Sequence, residues 1–196
     1  MAQPTPTFLD ELMAAARGCI ALLIGKRNAP GFFDFSQRGL VGSVIALVLS
    51  LAVQAFGPQL IGVASPPGVS MGVVILASII VAMQFGIAYV VLRMLGRSDG
   101  FVPFVVVQNW ATLFQGILAV AAIAVFGQPI AVTAPGEAAQ LTSGSIPFVV
   151  LGIAALVISV NIARLILTLR PALVALFVAA QLGTALVLQL MLGSIF

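Results

Sequence analysis

The chain has 196 residues, of which 62% are hydrophobic and 7% charged, with a mean hydropathy of +1.25; soluble domains carry roughly 25% charged residues. This excludes a soluble globular domain, and the net charge of +3 reads as membrane topology, with no nucleic-acid partner expected. Histidine is absent and Cys19 is the single cysteine, which excludes a disulfide framework and a Cys/His metal site; no cofactor is expected.

Met1–Thr7 is polar and rich in Pro and Thr, lacking the basic start and apolar run of a removable signal peptide. No leader is expected there. From Thr7 to Ile24 the apolar residues Phe8, Leu9, Leu12, Met13, Ala16, Cys19, Ile20, Leu23 and Ile24 recur at helical spacing, with Asp10, Glu11 and Arg17 between them. The pattern predicts an amphipathic helix started by a Thr7-x-x-Asp10 cap, favoured at its end by Lys26 and Arg27 and stopped by Asn28-Ala29-Pro30-Gly31. Its apolar run is too short to span a bilayer. The helix is expected to lie in the membrane interface or under the bundle, with Phe32, Phe33 and Phe35 extending the anchor.

Five spans follow, predicted at about 39–56, 69–92, 101–126, 147–165 and 171–192, each long enough to cross a hydrocarbon core about 30 Å thick. The chain thus divides into an interfacial segment, 1–38, and a transmembrane unit, 39–196. Turn signals at Ser65-Pro66-Pro67-Gly68 and Thr133-Ala134-Pro135-Gly136 separate spans. With five spans, Arg17, Lys26, Arg27, Arg38, Arg93, Arg97, Arg164 and Arg170, all eight basic residues, fall on one side. The positive-inside rule makes that side cytoplasmic, with the N-terminus inside and the C-terminus outside an inner (plasma) membrane. The fold expected is all-α, a polytopic five-helix bundle preceded by the amphipathic helix.

The third span carries Gln108, Asn109, Thr112, Gln115, Gly116 and Ala119 on one helical face. Val106, Trp110, Leu113, Phe114 and Ile117 occupy the other side and suit lipid or apolar neighbours. Gln84 in span two, Ser159 and Asn161 in span four, and Gln181 and Thr184 in span five offer polar partners, while Gln54 and Gln189 lie nearer the outer ends. The first expectation is that these groups hydrogen-bond between helices. The alternative is a solute pathway lined by amides. No charged residue falls at mid-depth in a span, which weighs against transport of protons or ions.

Lys26, Arg27, Arg38, Arg93, Arg97, Arg164 and Arg170 are expected to contact anionic lipid headgroups or a partner, with Asp34 and Asp99 pairing with arginines in the second case. The small residues Gly39/Ser43, Gly42/Ala46/Ser50 and Ala82/Gly86 recur at four-residue spacing and predict close helix contacts, internal ahead of homo-oligomeric. Cys19 reads as a small buried hydrophobe, with palmitoylation or redox sensing as the alternative. Without histidine or an intramembrane Lys, no nucleophile–base pair is evident, and Glu137 stands alone in its loop. No enzymatic activity is expected.

An N-terminal cytoplasmic segment, five closely spaced spans, short inner loops and an outer C-terminus together resemble the Yip1-like family of membrane proteins. The resemblance is one of organisation. The Asp-Leu-Tyr-Gly-Pro type signature is not reproduced by "GFFDFSQRGLVGS" at Gly31–Ser43 or "GRSDGFVPF" at Gly96–Phe104, so no family residue is carried over. It implies a role in membrane organisation and partner assembly. The function expected is a non-catalytic scaffold or accessory component, working with a membrane-protein partner or as a homo-oligomer; the alternative is a small permease subunit for a neutral solute.

Overall fold

The computed structural model describes residues 7–63, 69–131 and 140–192. The turns Ser65-Pro66-Pro67-Gly68 and Thr133-Ala134-Pro135-Gly136, Glu137 and the side chain of Gln189 lie outside the described residues. The chain folds as an all-α bundle: α1 (Phe8–Ile24), α2 (Gln37–Leu60), α3 (Val69–Met94), α4 (Phe101–Phe126), α5 (Ser145–Asn161, continued by a π-helical turn Ile162–Ile166) and α6 (Pro171–Leu192). A two-residue antiparallel pairing, Ile130–Ala131 with Gln140–Leu141, narrows the α4–α5 loop. Five of the helices, α2 to α6, are long and apolar enough to cross a membrane. The protein is a multi-pass membrane protein.

Local chemistry accounts for the helix ends. Thr7 and Asp10 form a reciprocal capping box, Thr7 N–H donating to Asp10 Oδ2 at 2.8 Å and Asp10 N–H to Thr7 Oγ1 at 3.3 Å, which satisfies two N–H groups the helix cannot. The Thr7 N–H and then the Thr7 hydroxyl, each donating to Asp10 Oδ2 at 2.8 Å, hold the Asp10 carboxyl below its ordinary range. At the other end Gly25, with φ +76°, turns the chain, and Gly25 and Lys26 N–H groups return to Leu22 and Ala21 carbonyls at 3.0 and 2.8 Å. The stop is therefore a left-handed glycine cap, three residues earlier than the Asn-Ala-Pro-Gly signal, which forms a short 3₁₀ turn at Ala29–Phe32. Helix α2 begins at Ser36, whose Oγ accepts from Gly39 N–H.

Packing follows side-chain size. The buried residues of α2 are Gly39, Gly42, Ser43, Ala46, Ser50, Ala55 and Gly57; Gly39 and Gly42 stand against Asp34 and Glu11, and the helix packs most intimately with α4. Small residues let the two backbones approach, the main source of helix association in lipid. The Gly39/Ser43 and Gly42/Ala46/Ser50 spacings thus serve internal packing. By contrast, Ala82 and Gly86 on α3 are exposed. Ser43 meets Asn109 and Gly57 meets Val120, so contacts advance together along both helices and α2 and α4 run parallel. The remaining neighbours among the spans are α2–α3, α3–α6, α6–α5, α5–α4 and α3–α4, which make a ring of five spans crossed by the α3–α4 contact.

Helix α1 lies on the outside of this ring, against α4 and α5, with a shorter contact to α2. The face it buries is Ala15, Gly18, Cys19, Ala21 and Leu22, where Gly18 seats the Phe33 ring so closely that a Cβ would come within 2.6 Å of it. Leu9, Met13, Ile20, Leu23 and Ile24 of the expected apolar face are instead exposed. Small residues permit close docking on the bundle; the larger ones are left to the surrounding lipid. Ala15, Cys19, Leu22 and Phe33 join the same buried cluster as α2, α4, α5 and α6.

Candidate functional site

The polar face of α4 points into the ring, where it lines two cavities one above the other. The first, of about 70 Å³, lies among α3, α4, α5 and α6 and is walled by Gln84, Gln108, Ser159 and Gln181, with Phe104, Phe177, Val178 and Leu182 completing it. The second, of about 300 Å³, lies among α2, α4 and α5. Gln54, Thr112, Gln115 and Gly116 supply its polar and small wall, and Ala119, Phe148, Leu151, Gly152 and Ala155 the rest. Gln108 and Thr112 are one helical turn apart on α4, and Ser159 and Ala155 are one turn apart on α5. The two cavities share no lining residue but follow one another along the same helix pair, and this line of cavities, the crevice, extends about 16 Å from Gln108 to Ala119 at 1.5 Å per residue.

Hydrogen bonding in the crevice is incomplete. Gln181 Nε2 donates to the backbone carbonyl of Gln84 at 3.2 Å, and Gln54 Nε2 donates to Ser50 Oγ at 2.9 Å. Thr112 Oγ1 returns to the Gln108 carbonyl of its own helix at 2.8 Å. Among the described residues, no hydrogen bond joins the side chains of Gln84, Gln108, Gln115 and Gln181 to one another, and the amide groups of Gln84 and Gln108 have no partner. Lipid supplies no partners to such groups, so they are available to a polar occupant of the cavity.

Of the polar residues marked in the sequence, three act elsewhere. Asn109, at the margin of the stripe, turns to α2 and donates to Ser43 Oγ at 3.2 Å within a fully buried seam. Asn161 Nδ2 donates to the Leu22 carbonyl at 2.8 Å and fastens the end of α1 to α5. Thr184 Oγ1 bonds its own helix at Ala180, as Ser78 does at Val74. The face of α4 opposite the stripe is covered: Val106, Trp110 and Leu113 are buried, and Phe8 of α1 meets Trp110 with ring centroids 5.7 Å apart. Ile117 is exposed.

Comparison with family models, with curated proteins and with solved structures returns no match to this chain. The crevice and the ends of the bundle therefore carry the functional argument on their own.

The basic residues gather at the end of the bundle formed by α1, the α3–α4 loop and the α5–α6 turn. Lys26, Arg27, Arg38, Arg93, Arg97, Arg164 and Arg170 are all exposed there. Arg38 Nε lies 3.3 Å from Glu11 Oε1, tying α2 to α1. Arg97 donates to the Leu167 carbonyl at 3.0 Å and to Thr168 Oγ1, tying the α3–α4 loop to the turn that follows the π-helical segment. Asp34 is engaged locally: Ser36 N–H and O–H donate to it at 2.8 and 2.9 Å. Those two bonds, and secondarily Arg38, hold its carboxyl below the ordinary range. Sequence reasoning missed Glu11 as the partner of Arg38, because α1 and α2 approach only once both have docked.

Proposed function

We propose that the protein binds and passes a small uncharged polar solute through the crevice along α4 and α5. The observation that carries this is the pair of stacked cavities into which Gln84, Gln108, Gln115 and Gln181 project without pairing with each other. Had the amides served only to join helices, Gln84 and Gln108 would be spent on one another or on backbone, as Asn161 and Gln181 are. The residues lining both cavities are uncharged, which suits a neutral solute and disfavours an ion in a low-dielectric interior. The reading is non-catalytic, and no ionisable side chain lines either cavity. The basic end is placed in the cytoplasm by the positive-inside rule, in a plasma (inner) membrane.

The test is solute flux in proteoliposomes, followed by stopped-flow light scattering with urea and glycerol as probes. Wild-type vesicles should equilibrate faster than protein-free ones, and Gln115→Leu should slow them; equal rates in all three would overturn the reading. Orientation is tested separately by a reporter fused after Phe196, which should be active outside and silent in the cytoplasm.

A second reading, a scaffold or accessory component as the Yip1-like organisation implies, is favoured by one feature. Helix α1 is docked on the bundle yet exposes Leu9, Met13, Ile20 and Ile24 beside Arg17, Lys26 and Arg27. This is the composition of a surface that contacts anionic lipid or a membrane partner. Stable recovery of one membrane protein in a mild-detergent pull-down would support it, and recovery of the bare chain would count against it.

A further inference from the structure

We propose that the smaller cavity is where the crevice selects its solute and where it closes: the side-chain amides of Gln84 and Gln108 recognise an uncharged molecule carrying both donors and acceptors, and Phe177 seated against Phe104 shuts it from the basic end. This rests on reading the crevice as a solute path. The ligand class is that of urea, small primary amides and short polyols.

Recognition follows from the inventory of groups. A glutamine amide offers two N–H donors and a carbonyl with two lone pairs. Gln181 spends one N–H on Gln84 O, whereas the Gln84 and Gln108 amides are unspent among the described residues. A cation would meet the N–H groups along with the carbonyls, and an anion the reverse, with no charged side chain in the wall to compensate either. A molecule bearing both functions satisfies both halves of each amide. Size sets a second limit: at about 70 Å³ this cavity is several-fold smaller than the cavity of about 300 Å³ that follows it, so it is the one that discriminates by size. Solutes of a few heavy atoms fit, and larger ones stop in the 300 Å³ cavity.

Closure follows from depth. Phe104 lies one turn nearer the start of α4 than Gln108, and Phe177 one turn nearer the start of α6 than Gln181, so both rings sit between the amides and the basic end. They meet edge to face, with centroids 5.3 Å apart and planes at 86°, and Phe85 of α3 braces Phe104 in the same manner at 6.1 Å. Phe104 and Phe177 are both buried, and no polar group interrupts the contact. Phe104 and Phe177 belong to the packed core, so opening requires the side chains around them to repack, and shortening Phe177 removes the barrier directly.

The experiment compares wild type, Gln108→Leu and Phe177→Ala in proteoliposomes with urea, glycerol and sucrose as separate osmolytes. Phe177→Leu, which keeps an apolar side chain of intermediate size, stands in if the alanine variant does not fold by circular dichroism and gel filtration. Gln108→Leu should slow urea and glycerol by roughly two- to tenfold, the range spanned by one neutral hydrogen bond, and leave sucrose excluded. Phe177→Ala should speed both small solutes. Flux in wild type that neither substitution alters overturns this proposal and leaves the solute path standing. Flux in Phe177→Ala alone supports closure by the ring. Absence of flux above empty vesicles in all three folded proteins overturns the solute path and this proposal with it.

Discussion

Asn109 on α4 donates through Nδ2 to Ser43 Oγ on α2 at 3.2 Å, while its own Oδ1 is buried without a partner. Ser43 in turn donates to Leu40 O at 2.8 Å, so its hydroxyl cannot also serve that carbonyl. The seam therefore holds one interhelical bond and one unmet acceptor. Removing a single partner of a buried bond costs more than removing both. Ser43→Ala should cost about 1 kcal/mol, near the average of interhelical bonds in lipid, and the double variant Ser43→Ala/Asn109→Leu should recover part of that loss. Thermal unfolding in mild detergent checks it; a double variant weaker than either single one would refute the account.

Glycines in this chain divide by what stands opposite them. A Cβ at Gly57 would lie 2.6 Å from Val120 Cγ2, whereas at Gly86 nothing lies within 4 Å. Val120 is β-branched and stiff, so Gly57→Ala should force α2 from α4 at a cost of about 1–3 kcal/mol. Gly86→Ala should be neutral or gain up to about 1 kcal/mol from helix propensity. Equal melting temperatures for the two variants would show that the seam is looser than described.

Arg97 joins two loops through the carbonyl of Leu167 and the hydroxyl of Thr168. Thr168 holds φ +51°, a left-handed conformation that costs a residue with a Cβ about 1–2 kcal/mol. Arg97→Ala should therefore destabilise the basic end and raise protease cleavage in both loops. Thr168→Gly loses one acceptor but relieves the backbone and should remain near wild type. Matching losses in the two variants would place the value of the contact in the Thr168 hydroxyl.

Asp34 supports the start of α2 through Ser36, which itself caps Gly39 N–H. Its folded-state pKa lies below the ordinary 3.8, so its contribution is fully present above that value and is lost as pH falls through the lower folded value. Hydrogen exchange at the amides of Gln37 to Leu40 should accelerate, relative to chemistry alone, as the pH drops below the ordinary value. Asp34→Asn should abolish that pH dependence. Persistence of the dependence in the variant would assign it to another carboxylate.

Cys19 is buried between α1 and the bundle, and burial pushes its thiol up to about 12. Thiolate, the reactive form, is then scarce near neutrality. As the single cysteine it gives an unambiguous readout: maleimide should label the folded protein slowly and the denatured protein fully. Rapid labelling in mild detergent would mean that α1 leaves the bundle.

Much of the architecture was legible because lipid imposes few alternatives. The runs behind α2 to α6 are long and uninterrupted by charge, and the structure reproduces the α4 and α6 limits, 101–126 and 171–192. The Thr7–Asp10 cap and the small-residue face of α2 were equally readable, since both depend on short-range spacing. The polar stripe was legible only in part. A helical wheel places Asn109 at the edge of the face shared by Gln108 and Thr112, and nothing in the spacing says whether a neighbour stands there.

By itself, then, the sequence determined the number of long apolar helices, the segregation of basic residues along the chain and the uncharged character of the apolar runs, because each is a one-dimensional property of hydropathy and charge. Tertiary structure alone decided which amides were spent. Helix α2 took Asn109 because its small face comes close enough to hydrogen-bond, and α1 took Asn161 by ending beside it. Gln84, Gln108, Gln115 and Gln181 faced cavities because the ring of spans leaves a gap along the inner side of α4. Which residues meet across 66 or 139 positions depends on how the helices pack, and no local pattern encodes that.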